Sequence, residues 1–355
     1  MGNSSRSQAW WAFAMMAAAA AADQLTVSGK NYANARIITL EAGRVEFRAG
    51  DGALLTAWLD EVDSLQVDRG GAFADINEAE RLVAKGEIDN ALVRYRRAAR
   101  ISEGFWGDLT DARILRACSR PEHIDQAALA FVKVARGKTT GAGPAVRLTP
   151  RRLPETRDPK VSAAIDTLEN ALIRDPAEDQ RTACELFRFG ILHGIGDARG
   201  DSAAQTVLSR PLPLSAKGDR AYALILDALK RATSSGANAK ELASLDDFIR
   251  DCPASLLAEG LLLKGEILLQ SASNPEEIIR ASWPFLRVAL QMSDDPRAAD
   301  GFYGASIALE RVGRVDKCIE LLRECVAHRR VTAGTRKRAE VALARLQPKG
   351  SPTPK

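Results

Sequence analysis

The run Arg136-Gly137-Lys138-Thr139 carries the Gly, Lys and Thr of a phosphate-cradling loop. A P-loop also needs Gly where Val132 stands, and a strand before it to aim backbone amides at phosphate. A helical pattern precedes the run instead, so nucleotide binding is not expected. His123, His193 and His328 are the three histidines, and none has a second His or a Cys at metal-ligand spacing. His123 falls at an inter-helix turn. His193 and His328 fall at helix ends, where a cation complements the dipole. No G-x-S-x-G elbow occurs, and no Ser, His and Asp arrangement stands out. Asp294-Asp295 and the acidic residues of 197–201 do not follow calcium-loop spacing and read as caps or turns. Arg199-Gly200-Asp201 matches an adhesion tripeptide too short to carry weight. The expectation is a non-enzyme with no catalytic, cofactor or metal site.

The elements that would position any side chain begin after residue 22. Arg6 supplies a positive n-region, residues 9–22 form an apolar run, and Ala20-Ala21-Ala22 offers a small-residue cleavage site before Asp23. At about 14 residues the run is shorter than the ~20 a membrane-spanning helix needs. No Cys adjoins it, so residues 1–22 are expected to be an export signal of a periplasmic or secreted protein, not a lipoprotein. The 355 residues allow one elongated or two compact domains. With 50 basic and 46 acidic residues the net charge is only +4, which does not call for nucleic acid. Five cysteines in an exported chain raise the question of disulfides. Cys318 and Cys325 lie about 10 Å apart along one helix, too far to bridge, and Cys118, Cys184 and Cys252 stand where helix packing wants small residues. Buried thiols are expected.

Residues 23–70 have a different period from the rest. Val45 and Phe47 alternate with Arg44, Glu46 and Arg48 as in a half-buried strand. Ile37, Ile38 and Leu40 precede them across Gly43, and residues 54–59 and 64–67 supply two further strands after the turn at Gly50-Asp51-Gly52. A small antiparallel SH3-like/Sm-like module is expected. So short a segment buries a thin core and must pack on the first helices.

Helical periodicity then takes over. Gly86, Ile88, Ala91, Tyr95 and Ala98 recur in type and interval as Gly313, Val315, Cys318, Leu322 and Cys325. A Gly ends one helix, and small residues seven apart on the next let two antiparallel helices approach. This spacing resembles the tetratricopeptide repeat (TPR), a helix hairpin of about 34 residues that stacks into a solenoid. Residues 242–268, with Leu245, Phe248, Pro253 and the run from Leu261 to Leu268, resemble the TPR variety of exported bacterial envelope proteins, with Cys252 where an aromatic usually precedes the Pro. The chain is thus expected to be mainly α, a TPR-like helical-hairpin solenoid after the β module. Residues 71–137 hold repeats, 138–159 a Gly-, Thr-, Pro- and Arg-rich flexible linker or loop, 160–348 further repeats with a capping helix, and 349–355 a disordered tail. Pro284 is expected to kink or start its helix.

The TPR resemblance implies a concave groove lined by the first helix of each pair. By register it contains Asn77, Glu80, Arg113, Arg116, Glu266, Tyr303 and Glu310, with Asn77 where peptide-binding TPRs often contact ligand backbone. Mixed charges there suit an extended peptide or partner helix. The implied function is an exported scaffold for protein–protein interaction in the bacterial envelope. The alternatives are an envelope-polymer hydrolase, or a polymer-binding accessory using the β module and the basic C-terminal region with Arg329, Arg330, Arg336, Lys337 and Arg338. A second basic cluster, Arg94, Arg96, Arg97 and Arg100, reads as a solvated helix face or a contact for anionic lipid or polymer.

Overall fold

A computed structural model describes residues 22–174, 176–234 and 239–347. The expected export signal, apart from Ala22, and the tail at 349–355 lie outside the described residues. The described chain is mainly helical, with fifteen α-helices and a five-stranded antiparallel sheet at its N-terminal end. It divides into two compact units, Met1–Ile195 with Leu212–Lys217, and Gly196–Pro211 with Gly218–Lys355.

In the first unit, strands β1 (Asp23–Val27), β2 (Lys30–Glu41), β3 (Arg44–Arg48), β4 (Leu54–Trp58) and β5 (Val62–Gln66) run in the order β4-β3-β2-β1-β5. The alternation that marks the strands sends Ile37, Leu40, Val45, Phe47, Leu65 and Val67 into one core. Strand β1, which no sequence pattern announced, pairs with both β2 and β5. It is anchored by Asp23, whose buried carboxylate accepts hydrogen bonds from Ile37 N (2.9 Å), Asp68 N (3.2 Å) and Arg69 Nη2 (3.2 Å).

The helices of this unit are α1 (Ala72–Ala84), α2 (Ile88–Ile101), α3 (Phe105–Ala117), α4 (Ile124–Arg136), α5 (Ala142–Arg147), α6 (Pro159–Ile173) and α7 (Glu178–Gly194). Gly86 sits between α1 and α2 at φ 79°, where Glu87 N reaches Leu82 O at 2.9 Å. Gly313 repeats this at φ 74°, with Arg314 N to Leu309 O at 2.9 Å. Both close a helix with the six-residue backbone bond that a left-handed residue permits. Ala91, Tyr95 and Ala98, the first copy of the repeated spacing, are fully buried.

Residues 138–149, the first part of the expected 138–159 linker or loop, are closely packed. Helix α5 buries Gly143, Pro144, Ala145 and Val146, and Thr140 and Thr149 are buried too. Pro144 lies against the β2–β3 turn, so that a Cβ on Gly43 would stand 2.0 Å from its Cγ, and Gly43 N donates to Thr139 O at 2.9 Å. Gly143 leaves equally little room beside Ser215 of the Leu212–Lys217 segment. Small and cyclic residues that look like a linker by composition are here the condition for close backbone contact.

The second unit contains α8 (Arg199–Leu208), α9 (Asp219–Thr233), α10 (Ala239–Asp251), α11 (Ala254–Ser271), α12 (Pro275–Gln291), α13 (Ala298–Arg311), α14 (Val315–Ala327) and α15 (Ala333–Leu346). Each packs on the next, and α9 on α11, α11 on α13 and α13 on α15 as well. Pro284 neither starts nor ends α12; Pro275 takes the first helical position, behind Asn274, whose side chain accepts from Glu276 N (3.1 Å) and Glu277 N (3.0 Å). The ring of Phe285 fills the space between α11 and α13, where Gly265 and Gly304 carry no side chain. A Cβ on Gly304 would fall 2.4 Å from Phe285 Cδ1. Beyond it, Cys318, Leu322 and Cys325 pack with Ala299 and Ala339, so sulfur occupies the small positions of the second copy of the spacing.

Gly304→Ala is therefore expected to lower stability by about 1–2 kcal/mol, overpacking outweighing the helix-propensity gain. Urea unfolding of the full chain measures it; unchanged or higher stability would mean that the Phe285 ring moves aside without cost.

Candidate functional site

Four of the seven residues expected in a groove come together in the first unit, around the chain's own strand β5. Asn77, on α1, accepts from Val67 N and donates to Val67 O, both at 2.8 Å. One turn later Glu80 accepts from Leu65 N at 3.4 Å and from the Tyr95 hydroxyl at 2.6 Å. Arg113, on α3, donates to Glu80 through Nε (2.6 Å) and Nη2 (2.7 Å), and to the carbonyls of Val62 (2.6 Å) and Asp63 (3.0 Å). Arg116 donates to Asp60 O and to the Asp63 carboxylate. The edge of β5 away from β1 is thus bound by helix side chains, as a peptide would be. These four residues hold the β module, and the structure corrects the expectation that they face a partner.

The pair at the centre of this contact is nearly dry, with side-chain exposures of 4% for Arg113 and 8% for Glu80. Burial alone would depress the Arg113 pKa, but Glu80 and then Tyr95 outweigh it and hold the guanidinium charged. Burial, then the Glu80 charge, push the Tyr95 hydroxyl far up, so it serves as a donor.

The remaining residues expected in the groove lie in the second unit. Glu310 on α13 is bound to Arg345 of α15 at 2.7 Å. Glu266 and Tyr303 line a cavity of about 440 Å³. Its walls come from alternate helices: Lys230 from α9; Glu259, Leu262, Leu263 and Glu266 from α11; Asp300, Tyr303 and Ile307 from α13, with Arg297 at its start; and Arg338 from α15. The α11 residues fall at i, i+3, i+4 and i+7, one face of a helix. Glu259 bridges Lys230 and Arg297, the latter at 2.6 Å. Asp300 accepts from the buried Thr335 hydroxyl at 2.5 Å and lies 3.5 Å from Arg338, whose guanidinium stands 4.9 Å from the Tyr303 ring centre. Glu266 makes no ion pair or hydrogen bond among the described residues. The residue is open to solvent, but the cavity walls partly desolvate its carboxylate, which raises its pKa above the ordinary carboxylate value, against the pull of Lys230 and Arg338 and with a push from Asp300. The register reading places Glu266 and Tyr303 in a groove, and both line this cavity. It missed Lys230, Glu259, Arg297 and Asp300, and counted Arg338 only as part of a basic cluster.

The other motifs resolve locally. In the run at 136–140, Thr139 N and Oγ1 both donate to Asp108 (2.9 and 2.7 Å), while Gly137 N and Gly141 N return to Val134 O, leaving those amides no phosphate to hold. Arg199-Gly200-Asp201 opens α8, with Asp201 bound to Arg231 at 2.6 Å. Arg94 and Arg97 share Asp75, and Arg329 pairs with Asp294, which reduces both basic clusters. Burial pushes the thiols of Cys118 up to about 12, and of Cys184 and Cys325 to about 11, far from a nucleophile's range. Among the described residues no group of three or more His, Cys, Asp or Glu could hold a metal ion. No known protein-family model matches this chain, and no curated protein matches its sequence.

Arg113→Ala is expected to cost about 3–5 kcal/mol, because it strands Glu80 beside Tyr95 without its cation. Chemical denaturation of the full chain measures this. In the cavity the sign is opposite. Glu266 has a raised folded-state pKa, so its ionisation as pH rises opposes folding, and removing the charge relieves that. Glu266→Gln at neutral pH should melt at or slightly above the wild-type temperature, whereas Asp300→Ala, which takes the acceptor of the Thr335 hydroxyl and the counter-charge of Arg338, should lose about 1 kcal/mol.

Proposed function

We infer that this chain is a non-enzymatic, TPR-type helical scaffold exported to the bacterial envelope, and that the cavity of its second unit receives a partner polypeptide. The observation that carries this reading is the origin of the cavity walls: α9, α11, α13 and α15 are alternate helices of the array, as a concave repeat groove requires. The matching helix-ending bonds at Gly86 and Gly313 support a repeated hairpin. Pairing of the first strand with the last supports an SH3-like β module, and the apolar run at residues 9–22 supports export. The chemistry of the cavity suits binding. It mixes apolar side chains, an aromatic ring and both signs of charge, the composition that fixes an extended chain by many small contacts. A hydrolase site in this cavity would need a second carboxylate beside Glu266 ready to act as base or nucleophile, and Glu259 and Asp300 are each committed to cations.

A photo-crosslinking residue at Tyr303 of the full-length chain, expressed in its native cells, should yield a discrete polypeptide adduct that Leu263→Arg removes. The same residue at the exposed Val93 of α2 should not yield that adduct. Absence of an adduct at Tyr303, or an identical adduct from Val93, would overturn the groove assignment.

A further inference from the structure

The charges of the second-unit cavity are unequally committed, and the imbalance selects a ligand. Six charged side chains line it: Lys230, Arg297 and Arg338, and Glu259, Glu266 and Asp300. All three cations are matched from within. Lys230 and Arg297 share Glu259, and Arg338 lies against Asp300 and faces the Tyr303 ring. An anionic ligand would have to displace one of these carboxylates before gaining a cation. Glu266 alone is uncommitted among the described residues, and an arriving cation displaces nothing there.

The surroundings of Glu266 narrow the cation further. It stands two turns beyond Glu259 on the same face of α11, with Leu262 and Leu263 between them and Ile307 of α13 also lining the cavity. A compact inorganic ion would leave that apolar ledge wet. A long cationic side chain covers it with methylene groups while its head reaches the carboxylate. The residue itself is exposed, so a chain outside the cavity can lower such a side chain onto it. Resting on the groove reading above, we propose that Glu266 is the anchor for a lysine or arginine side chain of a basic partner polypeptide, with Leu262, Leu263 and Ile307 holding the aliphatic stem.

The carboxylate is the binding form, and the groups facing it are Lys230, Glu259, Arg297, Asp300, Tyr303 and Arg338. Pairing with a cation stabilises the ionised state and so releases any proton held there. Affinity must therefore fall as pH is lowered through the raised Glu266 pKa.

The test uses the full chain and fluorescein-labelled Ala/Ser peptides that bear two Lys, two Arg, two norleucine or two Glu residues at the same positions, read by anisotropy. The Lys and Arg peptides should bind wild type tightest. Glu266→Gln should weaken them about tenfold while leaving the melting temperature at or above wild type, and Glu266→Asp should recover part of the loss. The wild-type affinity should fall as pH is lowered from neutrality toward the carboxylate range, and the Glu266→Gln affinity should stay flat over the same interval. If the Glu or norleucine peptide binds best, or Glu266→Gln changes nothing while Leu263→Arg abolishes binding, the groove stands and the cation assignment falls. If free spermidine binds as tightly as the Lys peptide, the occupant is a small amine and the assignment to a polypeptide is overturned. If no peptide binds and Tyr303 gives no crosslink, the groove reading falls with it.

Discussion

The outer edge of β5 is a row of backbone donors and acceptors that needs partners, and the first unit is organised around supplying them. Such an edge recruits other chains unless it is covered. Here Arg113 and Arg116 take the carbonyls of Asp60, Val62 and Asp63, Glu80 takes the Leu65 amide, and Asn77 takes both groups of Val67. Burying Arg113 and Glu80 would cost more than their mutual attraction returns if their remaining hydrogen-bonding capacity were left open. The strand closes that capacity, and Tyr95 completes it. Edge and ion pair thus satisfy one another, which ties a β module too small to bury a thick core to the helices beside it.

The second unit solves a different packing problem. Its helices approach closely because Gly265 and Gly304 yield their side-chain space to Phe285, and because Cys318 and Cys325 stand where a larger residue would hold the pairs apart. Gly inside a helix costs about 1 kcal/mol against Ala, and the buried ring offsets it. Approach of the alternate helices brings charges from four of them around one cavity. There, internal pairing leaves Glu266 without a counter-charge among the described residues, and the proposed preference for a cation follows from that pairing rather than from net charge.

Much of the local architecture was legible. Alternation at Val45 and Phe47 marked β3, and the Gly86 and Gly313 spacings marked helix ends, because both signals act over a few residues. Strand β1 was silent, since five residues pinned by a buried Asp23 show no distinctive alternation. In residues 138–149, Gly, Thr and Pro suit a flexible segment and a tightly docked one equally well, and the contacts of Pro144 and Gly143 dock this part of the 138–159 segment. Pro284 lies inside α12 rather than at its start, because Pro275 behind the Asn274 cap takes the first helical position.

From sequence alone came the helix and strand types, their punctuation, and the register that placed Asn77, Glu80, Arg113, Arg116, Glu266, Tyr303 and Glu310 on like faces. Periodicity fixes which side of a helix a residue occupies. It does not fix what that side meets. Tertiary structure gave the first four to β5, through contacts spanning from 10 to 56 residues of chain, and gave Glu310 to Arg345. It also left Glu266 uncommitted, because Lys230 and Arg338, from helices before and after α11, found their carboxylates elsewhere. The charge of a side chain is local, but its neutralisation depends on every element packed around it.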